Sequence, residues 1–167
     1  MMRRPAAVFA ILLLAAAPLL ARGKWHEEFL KHWKVSKEFT LAVAGLMPAD
    51  GYSSKPNPEE MTFGELMVHI GDANTRNFAL IAGIQPPAKP AATGKATAMQ
   101  YLAASFDFCL KAAEALSEEQ LDQMTGPSKN MSARERMWAY FTHTAHHRGQ
   151  AEVYLRVRNI KPPEYRF

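Results

Sequence analysis

The stretch SARERMWAYFTHTAHHRGQAEVYLRVR, residues 132–158, decides the fold. It holds no proline and one glycine, and it is too long for anything but a helix. Ser132 with Glu135 matches a helix start, where a serine hydroxyl accepts from an amide of the first turn. Tyr140, His143, His147, Gln150, Tyr154 and Val157 step by three or four residues and trace one stripe. Asn159 stands where a left-handed residue closes a helix, and Pro162 and Pro163 forbid continuation.

Working outward, three more segments carry the same period. The first runs from about Lys24 to Leu46, with Phe29, Trp33, Ser36, Thr40 and Val43 on one face. Pro48 and Gly51 end it, and a loop with Pro56 and Pro58 follows. The second opens at Thr62, which forms a capping box with Glu65. Phe63, Leu66, Ile70, Ala73, Asn77 and Leu80 continue it, and Gly83 stops it. The third spans about Lys95 to Leu116, with Met99, Leu102, Phe106, Cys109 and Ala113 as its stripe. Ser117 with Gln120 repeats the capping pattern and predicts one short turn. There is no convincing alternating strand pattern. The expectation is an all-α, up-and-down four-helix bundle over residues 25–167.

The N-terminus reads differently. Met1 to Arg4 is basic, Pro5 to Leu20 is apolar and alanine-rich, and polar sequence returns at Arg22. That is the order of a secretory signal peptide, with cleavage expected after Ala21. The apolar run is short for a membrane span, so no stable span is expected after cleavage. The protein is then periplasmic or secreted, and an uncleaved N-terminal membrane anchor is the alternative. Formal charge is +4, from 20 basic and 16 acidic residues. Loss of Arg3 and Arg4 lowers it to +2, leaving little drive toward nucleic acid. Cys109 is the only cysteine, so no intrachain disulfide can form.

Six histidines carry the chemistry: His26, His32, His69, His143, His146 and His147. His143 and His147 lie four apart, one turn on one helix face, close enough to share an ion. His146 is also one turn from His143 and competes as the second ligand. Register favours His147, because His146 falls on the flank with Trp138, Thr142 and Arg156. His69 lies midway along the second helix between Leu66 and Ala73, on an apolar face. An imidazole buried there unpaired costs a few kcal/mol, so it needs a metal or a hydrogen bond. Three neutral imidazoles suit Zn, Ni, Fe or Co and leave a position open for water or substrate. Tyr140, Gln150, Tyr154, Asp72 and Glu152 are candidates to support the ligands or move protons.

The run His143-Thr144-Ala145-His146-His147-Arg148-Gly149-Gln150, with Val153 to Arg156 and Pro162-Pro163, resembles the C-terminal signature of the DinB-like (DinB/YfiT-like) metalloenzyme family. Met47 to Tyr52, then Thr62 to Ile70, resembles its second-helix signature, and Gly83 with Pro86-Pro87 fits as well. The resemblance covers the chain from about Trp25. It implies a four-helix bundle with one metal ligand on the second helix and a His-x-x-x-His on the last. Carried over, these are His69, His143 and His147, with His146 a neighbour. Asn159 stands where the family usually has glycine, and both suit a helix end.

The family name implies no DNA binding. Characterised relatives include metal-dependent thiol transferases and isomerases using bacillithiol, mycothiol or glutathione. Those thiols are cytosolic, which sits awkwardly with an exported chain. The expected function is a metal-dependent hydrolase or thiol transferase acting on a small molecule. The alternative is a non-catalytic metal- or small-ligand-binding stress-response protein of the cell envelope. Related bundles often pair, so a homodimer belongs among the expected partners.

Overall fold

The computed structural model describes residues 22–167, so the signal-peptide segment, 1–21, lies outside the described residues. Four long helices form the body: α1 (Lys24–Leu46), α2 (Phe63–Ala82), α3 (Lys95–Glu114) and α5 (Ala133–Val157). A short helix, α4 (Glu118–Asp122), precedes α5. The fold is the all-α bundle expected. No helix among the described residues is long and apolar enough to cross a membrane.

Most helix boundaries fall where the sequence places its caps. Thr62 accepts from the Glu65 amide at 3.2 Å, and Glu65 accepts from the Thr62 amide at 2.7 Å. Such a cap is worth about 1 kcal/mol. Gly83 closes α2 at φ 66°, with Ile84 N–H donating back to Ala79. Asn159 closes α5 at φ 58°, and Ile160 and Asn159 donate to Leu155 and Arg156. That is the Schellman pattern with asparagine in the left-handed place. The last carbonyls of α1 are met from outside, where the Lys95 ammonium donates to Gly45 and Met47 at 2.8 Å each.

Around the bundle the helices neighbour one another in the order α1, α3, α2, α5. Helices α1 and α2 thus lie across a diagonal, as do α3 and α5. The connectors that cross diagonals are the long ones, and they carry structure of their own. Residues Ala49–Ser53 form a 3-10 turn whose buried Tyr52 donates to the Ala44 carbonyl at 2.9 Å. Between α4 and α5 a two-residue hairpin pairs β1 (Met124–Thr125) with β2 (Met131–Ser132). The strand-free expectation missed this ladder, because two residues per strand leave no alternation to read. Arg136 ties the hairpin to α2, donating to Thr125 and to Asn77.

Trp33 sits at the centre of the core, packed on Phe78 and Phe106 with ring centroids 4.9 and 5.2 Å away. Each such side chain contributes roughly 1.5–3 kcal/mol by leaving water. Two residues of the expected stripes are exposed. Leu80 is 45% exposed and Val157 62%. The buried residues of α5 are Ala133, Met137, Thr144, Arg148, Ala151, Tyr154 and Leu155, and Thr144 and Arg148 each lie one position beyond a histidine of the stripe. The histidine stripe is therefore half-buried and borders the core.

Candidate metal centre

His69 on α2 faces His143 and His147 on α5. His147 Nε2 lies 3.1 Å from His69 Nε2 and 3.0 Å from His143 Nε2. One ring nitrogen from each residue falls within 4.8 Å of the others. Among the described residues this is the group of three that could hold a metal ion. His146 is exposed and outside the group, although its ring lies 4.9 Å from that of His147. His26 is a core histidine, bonded to the Ala113 carbonyl at 2.8 Å, and His32 stacks on Phe167.

The two helices are held in register one turn along. Asn74, fully buried on α2, donates to the Thr144 hydroxyl at 2.8 Å, and Thr144 donates to the Tyr140 carbonyl. Arg148, next to His147, turns toward α1. It donates to Ser36 and Thr40 of α1 and lies over the Phe39 ring at 4.4 Å. The sequence reading missed both contacts. An arginine on a buried helix position was the available signal for the second.

The donor set fits a divalent ion. His147 Nδ1 lies 2.6 Å from Gln150 Oε1, so that nitrogen carries the proton and Nε2 presents its lone pair inward. One lone pair cannot satisfy two facing imidazoles by hydrogen bonding. Metal–nitrogen bonds near 2.05 Å at tetrahedral angles set nitrogens about 3.3 Å apart, close to the two short edges here. Burial, and then the neighbouring imidazoles, pull His143 down to about 4. His69 and His147 are lowered too, chiefly by burial. All three are then neutral near pH 7, the state a metal needs.

The other sequence candidates separate in space. The Tyr140 ring packs 5.5 Å from His143. Asp72 pairs with Arg76 at 3.0 Å and Lys89 at 3.8 Å. Tyr154 donates to the Met61 carbonyl at 2.7 Å, and Glu152 pairs with Arg156. A groove of about 670 Å³ runs up to His69. Glu65, Val68 and His69 form one bank, and Lys89, Ala91 and Thr93 the other. The banks touch at Gly64, where a Cβ would stand 1.9 Å from the Thr93 carbonyl oxygen.

The model of the DinB superfamily matches residues 32–151, which span all three histidines. The chain belongs to the DinB superfamily. Two solved DinB-like proteins share its fold. One, from Bacillus subtilis, is 20% identical with a TM-score of 0.70, over 83% of this chain and 96% of its own. The other, from Bacillus cereus, is 19% identical with a TM-score of 0.73, over 84% and 97%. No curated protein matches the chain. The resemblance read from the two histidine motifs thus agrees with the DinB family match.

Proposed function

We propose that this DinB-superfamily protein is a metal-dependent enzyme of the hydrolase or thiol-transferase type, with His69, His143 and His147 as ligands. The observation that carries the reading is the convergence of three Nε2 atoms, with His147 at 3.1 and 3.0 Å from the other two. A divalent ion held there supplies Lewis-acid chemistry, lowering the pKa of a coordinated water or thiol toward neutrality. Gln150 orients His147, and the Asn74–Thr144 pair fixes the distance between the ligand-bearing helices. The groove beside His69 admits a small molecule, and Lys55 and Lys89 on its walls can bind an anionic group of it.

A second reading, a metal- or small-ligand-binding protein of the envelope without catalysis, draws on the nearby acids. Asp72 is engaged by Arg76 and Lys89, and Glu65 by its capping box, so neither is placed as a general base. In both readings the basic and apolar order of residues 1–21 supports export.

Elemental analysis of purified protein tests the metal. One divalent ion per chain, lost in His143→Ala, is expected, and a metal-free protein that ignores added Zn or Ni would sink the enzyme and leave only the small-ligand form of the second reading. A screen of esters, amides and thiol-conjugation substrates separates them. Turnover abolished by His69→Ala supports the enzyme, whereas a metal-loaded protein inert to every substrate favours the binding protein.

A further inference from the structure

Away from the three histidines, a cleft of about 380 Å³ lies between α1 and α5. Helix α1 contributes Trp25, Phe29 and His32, spaced to share one face. Helix α5 contributes Trp138 and Phe141, stacked with centroids 5.8 Å apart at 10°. The C-terminal Phe167 folds back to stack on His32 at 4.1 Å. Two of the three tryptophans of the chain line this one cleft. Trp138 remains 59% exposed and Phe167 70%. None of the three clustered histidines lines it, and it shares no residue with the groove beside His69.

Its chemistry favours a cation. Aromatic faces carry negative potential, and Glu28 is the one acidic side chain in the lining. The Trp25 ring already receives a cation, with the Arg134 guanidinium carbon 4.6 Å from its centroid. Lys24 reaches Glu28 at 3.7 Å, but its side chain is 88% exposed, and such a pair yields readily to a ligand. A primary ammonium is strongly hydrated and needs several acceptors. The tryptophan and phenylalanine rings offer it none, whereas a methylated ammonium loses little water and gains the ring faces. The volume suits a small molecule.

We propose that the aromatic cleft between α1 and α5 is a binding site for a small organic cation of the quaternary-ammonium class, paired with Glu28. The site stands independently of the metal centre.

The test is a titration of the purified protein with choline, followed by tryptophan fluorescence and calorimetry, against sodium chloride at equal ionic strength. The neutral isostere 3,3-dimethylbutanol is titrated in parallel. Saturable choline binding, at least about fivefold tighter than the isostere, is expected. Glu28→Gln should weaken choline by about fivefold and leave the isostere unchanged, and Trp138→Ala should weaken both. Both positions are on the surface, and Glu28→Gln decides alone if the tryptophan variant misfolds. Equal affinity for choline and its isostere, no saturable binding, or indifference to Glu28→Gln would each overturn the proposal. A chelator should change none of these affinities.

Discussion

His147 Nδ1 and Gln150 Oε1 lie 2.6 Å apart, less than one helical turn along α5. The contact fixes which imidazole nitrogen faces His69 and His143. Gln150→Leu removes the acceptor and frees the ring to rotate or change tautomer. Metal affinity, measured by chelator competition, should fall about 10–100-fold. Gln150→Glu restores an acceptor and should recover most of the loss. Equal affinity in all three proteins would show that the contact does not orient the ligand.

The three clustered histidines should act as a set. His69→Ala and His143→Ala should each abolish stoichiometric metal, while His146→Ala, at an exposed position outside the cluster, should retain it. Metal at about 100 times its dissociation constant should stabilise the native protein by about 2.7 kcal/mol. Thermal melts with and without chelator report this as a shift in Tm. The His143→Ala protein should show no such shift.

Without metal, stability should depend on pH in a defined window. His143 is held down to about 4 in the folded protein, against about 6.5 when unfolded. Between those values the unfolded chain binds more protons, so stability rises with pH across the window and is lost as pH falls through it. His69 and His147, also lowered, act in the same direction. Urea unfolding from pH 4.5 to 7 in the presence of chelator should show this slope, and His143→Asn should reduce it. A metal-free wild type with a flat profile would contradict the neutral cluster.

Asn74 has no exposed surface, and its amide donates to Thr144 across the α2–α5 interface. Asn74→Ala leaves the Thr144 hydroxyl without that partner and should cost about 1–3 kcal/mol in denaturant unfolding. It should also weaken metal binding, because the same contact sets the spacing between His69 and His143. Loss of stability with unchanged metal affinity would show that the histidines are positioned by other contacts.

Much of this architecture was legible because local chemistry wrote it. Thr62 with Glu65, Gly83, Ser117 with Gln120, and Asn159 each mark a helix end through one residue's side chain or left-handed backbone. Three of the six histidines were separable by register, and the family signature agreed on His147. Pairings distant in sequence were less legible. Arg148 reads as a polar residue in a polar helix, yet it is buried, because Ser36, Thr40 and the Phe39 ring of α1 meet its guanidinium. The return of Phe167 to His32 depends on the course of a tail beyond Pro163, which carries no periodicity. Diagonal placement of α1 and α2 is likewise a property of packing and leaves no mark in either helix.

Gly64 bears no functional group, and its consequence lies in size. The loop bearing Lys89, Ala91 and Thr93 rests on α2 only because residue 64 lacks a side chain. A methyl group there must lift Thr93 and shift that bank relative to His69. The bore of the approach to the histidines is thus gauged from a residue that lies outside their cluster. Substituting it is a way to change which molecules fit the groove while leaving the three histidines as they are.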